Sequence, residues 1–131
     1  MTNKIKLDKL VHALGMEPEL RPLLDSNING ESSGYVRFEK AIGEVLNERQ
    51  VISSSEFYGR FGWGGGNMPE RACRMTKEYY GIGCEDKSFE KIGSSEDICR
   101  DRVSQVIKKV ARILRSPYSG VKRNIWYKTL G

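Results

Sequence analysis

The sequence predicts an all-α fold: a helical bundle whose C-terminal part is a helix, a tight turn and a second helix. Three observations lead there. Apolar residues recur at spacings of three and four in several separate stretches, which is the period of an amphipathic helix. Gly, Pro and Ser cluster between those stretches, where a chain must turn. The longest stripe, Val103, Val106, Ile107, Val110, Ile113 and Leu114, comes after a short capped segment and a polar turn.

In chain order, Leu7, Leu10, Val11 and Leu14 form the apolar side of a first helix. Gly15, Pro18 and Pro22 are expected to break the chain after that helix, leaving LRPLLD as a short packing segment. Residues 26–33, SNINGESS, make a polar, turn-rich linker. Phe38, Ile42, Val45 and Leu46 define a second helix ending near Asn47, and the first two helices are expected to pair as a small hairpin.

Residues 57–67, FYGRFGWGGGN, interleave Phe57, Tyr58, Phe61 and Trp63 with Arg60 and five glycines. Such aromatics can stack on unpaired bases. The reading preferred here is a Gly-rich loop whose aromatics pack on the core, because Phe57 and Phe61 stand one helical turn apart. Asn67 is the expected cap of a third helix, with Glu70 three residues on, and Met68, Ala72, Met75 and Tyr79 are its buried side up to Gly81. Its polar side carries Arg71, Arg74, Lys77 and Glu78.

Ser88 caps a short helix with Phe89 and Ile92 on its apolar edge, and Gly93 is expected to end it. Ser94 to Asp97 form the turn, and the long helix comes next. Its outward face offers Arg100, Asp101, Ser104, Gln105, Lys108, Lys109, Arg112 and Arg115, hydrogen-bonding and cationic groups on a rod of the width that a DNA major groove admits. Beyond Pro117, Val121, Ile125 and Trp126 predict a last short helix, with Lys122, Arg123 and Lys128 beside it.

From Met68 to Trp126 the chain resembles region four of bacterial sigma factors, the helix-turn-helix part that reads the upstream promoter element. MPERACRMTKEYYGIG is similar to that family's leading helix and Tyr-Gly-x-Gly hinge, FEKIG to its first motif helix, and ICRDRVSQVIKKVARILRSP to its recognition helix and closing Pro. The resemblance implies DNA contact by Arg100, Asp101, Gln105 and Lys109, with Arg102 as a basic neighbour. It implies binding of the RNA polymerase flap by the helix that carries Arg71, Arg74, Lys77 and Glu78. Three positions depart: Ser104 stands where the family has a base-reading Arg, Glu96 where it has a core apolar residue, and Cys99 where it has a Ser or Thr cap. A bidentate Arg–guanine contact is worth about 1 to 3 kcal/mol, so any site read by this helix is expected to differ from a standard promoter element.

The 131 residues suffice for one domain, or a small domain with an extension. The expected division is an N-terminal helical extension with the Gly/aromatic loop at 1–66 and a helix-turn-helix DNA-binding domain at 67–131. The net charge is +5, and residues 99 to 131 hold nine Lys or Arg against Asp101 alone. Positive charge gathered beside a groove-sized helix favours phosphate contact and salt-dependent binding. No apolar run approaches the ~20 residues of a membrane span and no signal peptide is visible, so the protein is expected in the cytoplasm, that of a host cell if a phage encodes it.

Cys73, Cys84 and Cys99 include no CxxC pair and His12 is the single histidine, which argues against a metal site or disulfide framework. No Ser/His/Asp set, HExxH or Walker-type loop is present, so no catalytic residues and no cofactor are expected. The leading expectation is a transcription regulator that binds double-stranded DNA through Arg100 to Arg112 and works with bacterial RNA polymerase, and further with its sigma factor, as a phage-type late-gene activator or antiterminator. A polymerase-flap-binding protein with little DNA recognition is the second reading, and a viral DNA-packaging adaptor the third.

Overall fold

A computed structural model describes residues 4–25, 27–28, 32–49, 68–116 and 121–130. Among them the fold is all-helical but for one minimal ladder: α1 Lys4–Ala13, α2 Glu17–Leu24, α3 Gly34–Glu48, α4 Glu70–Tyr80, α5 Phe89–Glu96, α6 Arg100–Arg115 and α7 Val121–Leu130. Inside the expected linker, β1 Asn27–Ile28 and β2 Ser32–Ser33 pair antiparallel, Asn27 opposite Ser33 and Ile28 opposite Ser32. The aromatic and glycine stretch 57–67 lies outside the described residues.

The prolines do not break the chain after α1 as expected; they sit inside α2. Pro18 falls in the first turn, where a backbone N–H has no helical partner to lose. Pro22 does forgo one helical bond, and two attachments compensate. Leu20 and Leu24 are buried. Arg21 donates to Glu17 at 2.6 Å, to Asp8 of α1 at 3.1 Å and to the Tyr35 hydroxyl of α3 at 2.7 Å. Tyr35 also donates to Asp8 at 2.7 Å, so one polar cluster ties three helices.

The core is a single cluster drawn from both halves of the chain: Leu7, Leu10 and Phe38 meet Met75, Ile92, Ile107, Leu114 and Ile125. The most extensive helix pair is α3 with α7, where Lys128 bridges to Glu44 at 3.1 Å and Glu48 at 3.7 Å. Both expected units, 1–66 and 67–131, thus contribute to one interior. No helix among the described residues is long and apolar enough to cross a membrane.

Helix α4 starts at Glu70 with Pro69 in the cap position and no side-chain cap bond, while Asn67 lies outside the described residues. It stops at Gly81, whose φ of 70° and ψ of 36° close the helix left-handed. Its buried side comprises Ala72, Cys73, Met75, Thr76 and Tyr80, and Tyr79 is only half-buried. The Tyr79 ring stacks on Phe89 of α5, centroids 4.3 Å apart and planes 9° apart, and Lys6 of α1 stands 3.5 Å over it. This sandwich links the start of the chain to the helix pair α5–α6.

Candidate nucleic-acid interface

Ser88 caps α5, its Oγ accepting from the Lys91 N–H at 3.1 Å. The helix does not end at Gly93: it runs on to Glu96, and Asp97 closes it with φ 58° and ψ 44°. Asp tolerates that left-handed conformation better than most residues. Gly93 has another role. A Cβ there would lie 2.6 Å from the Ile98 carbonyl oxygen, so only glycine lets the start of α6 fold back this closely. The Ile98 N–H then donates to the Gly93 carbonyl at 3.0 Å. Asp97, Ile98 and Cys99 are therefore the whole connection between α5 and α6, shorter and later than the Ser94 to Asp97 turn expected.

Cys99 holds the cap position of α6 with extended backbone but no side-chain cap bond. Val103, Ile107, Val110, Ala111, Ile113 and Leu114 bury one side of α6, with Val106 half-buried at its margin. On the other side Asp101, Gln105, Lys108 and Arg112 are exposed. They have spacings of four, three and four, so they form one line along the rod. Ser104 and Lys109 flank it, half-buried.

Two further cations near the start of α6 are turned aside. Arg100 Nη1 donates to Glu90 of α5 at 2.8 Å, both side chains exposed. Arg102 lies toward α4, its Nη1 3.5 Å from Gln105 Oε1. Beside it runs a groove lined by Pro69, Ala72, Met75, Ile98 and Val106, with Arg71 and Arg102 at its edge.

The four α4 residues expected to contact a polymerase are engaged within the protein. Arg74 donates to the Glu96 carboxylate at 2.6 Å, and Arg71 to the Glu96 carbonyl at 2.6 Å. Lys77 donates to Asn47 Oδ1 at 2.6 Å, and Glu78 accepts from Lys87 at 3.3 Å. The Glu96 side chain is only 14% exposed. The carboxylate at a position where the resemblance places an apolar residue is thus the partner of two arginines from α4, and it fixes α4 against the α5–α6 connection. Sequence reasoning singled out Glu96 as a departure without its partners, since they stand more than twenty positions away.

Three cysteines, Cys73 buried and Cys84 and Cys99 exposed, are free thiols. Burial pushes Cys73 up to about 11, and raises Cys84 as well, so neither is poised as a thiolate. The chain matches no family model, no curated protein and no solved structure.

Proposed function

We propose that this chain is a DNA-binding transcription regulator of the sigma-region-four type, in which α5 and α6 form a helix-turn-helix and α6 enters the major groove of duplex DNA. It works with bacterial RNA polymerase in the cytoplasm, as an activator or antiterminator of the kind that phages use for late genes. The observation that carries this reading is the exposed line Asp101, Gln105, Lys108 and Arg112 on a helix whose opposite side is locked into the core. Base reading needs polar groups on a rigid support, and the buried Val103, Ile107, Val110 and Leu114 provide that rigidity. Gln105 suits adenine, while Lys108 and Arg112 suit guanine or phosphate.

The test is selection from randomised duplex DNA at near-physiological salt, comparing the protein with an Arg100→Ala, Gln105→Ala double variant. A motif enriched by the first and lost by the second supports the reading. Salt-sensitive binding without enrichment rejects sequence recognition by α6.

A second reading rests on the groove between α4 and α6. Its apolar floor and two arginines favour an apolar segment with acidic neighbours, so a polymerase-binding protein with little DNA recognition is the alternative. Val106→Glu, at the half-buried margin of the groove, would then abolish polymerase retention while the Arg100→Ala, Gln105→Ala variant would spare it.

A further inference from the structure

Six cations among the described residues are paired with carboxylates. Arg21, Arg71, Arg74, Lys87, Arg100 and Lys128 each meet a carboxylate. Arg115 at the end of α6 and Lys122 at the start of α7 meet none among the described residues. Both side chains lie beside one point of the backbone. Gly15, in the corner between α1 and α2, has φ +65° and no side chain, and the point where its Cβ would stand lies 3.7 Å from Arg115 Cδ and 4.0 Å from Lys122 Nζ. The aliphatic stem of Arg115 and the ammonium of Lys122 therefore flank the same bare stretch of backbone. An anion seated over Gly15 would meet the Lys122 ammonium and stand beside the end of the Arg115 side chain, and both attractions are favourable. Lys122 is half-buried, which restricts how far its ammonium can swing away.

We propose that Arg115 and Lys122 form a phosphate clamp over Gly15 that grips the DNA backbone beyond the stretch of α6 that faces the bases. The proposal rests on the reading of α6 as a DNA-binding helix and adds a second point of attachment built by α1, α6 and α7. Arg115 lies ten residues beyond Gln105, about 15 Å along the helix axis. The clamp therefore meets phosphates different from those flanking the bases at Gln105. Phosphate contacts position a protein on the duplex and carry no sequence information directly. The clamp accordingly sets how firmly α6 is seated, and leaves the selected motif unchanged.

The experiment is fluorescence anisotropy on two duplexes of unrelated sequence, titrated over a range of salt concentrations. It compares the intact chain, an Arg115→Ala, Lys122→Ala variant, an Arg115→Lys, Lys122→Arg variant, and a Lys4→Ala, Lys40→Ala control that removes equal charge elsewhere. Circular dichroism checks that each is folded. The expected result is a slope of log affinity against log salt that is shallower by about 2 in the first variant, since each phosphate contact contributes about 0.9. The loss of affinity should be the same on both duplexes. The charge-preserving variant should keep the wild-type slope, and the control pair should change it little. A first variant with the wild-type slope, or a control pair that lowers the slope equally, overturns the clamp and leaves DNA binding by α6 standing. If the intact chain binds neither duplex, both readings fall together.

Discussion

Arg49 and Met68 are joined twice across nineteen positions: the Met68 N–H donates to the Arg49 carbonyl at 2.8 Å, and Arg49 Nη1 donates to the Met68 carbonyl at 3.2 Å. Positions 49 and 68 are therefore held side by side. Arg49 takes φ 59° there, a left-handed conformation uncommon for a side chain of its size.

Glu96 should couple to Arg74. In a double-mutant cycle of Arg74→Ala and Glu96→Ala, measured by urea unfolding, the expected coupling is about 0.5 to 1 kcal/mol, modest because the arginine is half exposed. Additivity of the two substitutions would refute the pairing.

On the proposed reading of α6 as a DNA-binding helix, the Glu90–Arg100 pair should limit duplex affinity. Glu90→Gln should release Arg100 and remove a negative charge next to α6, raising duplex affinity several-fold and steepening its salt dependence by up to about 1 unit of slope. Unchanged affinity in anisotropy titrations would mean that Arg100 plays no part in binding.

Periodicity and local caps were legible in the sequence. The buried stripes of α1, α3 and α6, the Ser88 cap and the stop at Gly81 all depend on residues within a few positions of one another. The exposure of Gln105, Lys108 and Arg112 is set by the same stripe. Features that depend on distant segments were not legible. Gly93 looks like a helix end until the Ile98 carbonyl is seen against it. Pro22 looks like a breaker until Arg21 is seen holding α1 and α3. Glu96 looks like a misplaced charge and Lys128 like a surface cation, and each has a partner far off in the chain. The meeting of Arg115 and Lys122 depends on a glycine a hundred residues earlier, which no local pattern reveals.

Cys99→Ser should stabilise the fold. The cap position of α6 already has the extended backbone a capping residue needs, and only an acceptor is missing. A serine there should add about 1 kcal/mol in chemical denaturation. No gain would indicate that the N–H groups of the first turn are already satisfied.

Alkaline pH should destabilise the protein through two buried groups. Burial pushes the Cys73 thiol up to about 11 and the Tyr80 hydroxyl up to about 12. Both are neutral in the folded state and ionise more readily once unfolded. Their contribution is whole below the unfolded values of about 8.5 for Cys and 10 for Tyr. It is lost as pH rises through the folded ones. Unfolding free energy should therefore fall between about pH 9 and 12, and Cys73→Ala should remove the earlier part of that fall, roughly 3 kcal/mol. An unchanged pH profile in the variant would exclude Cys73 as its cause.

The pairing of α3 with α7 also sets a clock on biosynthesis. Glu44 and Lys128 are 84 positions apart, and at about 5 to 20 residues per second a ribosome needs roughly 4 to 17 seconds to pass from one to the other. Through that interval Phe38, Ile42 and Val45 have been made while the helix that packs most extensively on α3 has not. The nascent chain spends those seconds with one apolar side of α3 incompletely covered, which is when a chaperone would find it.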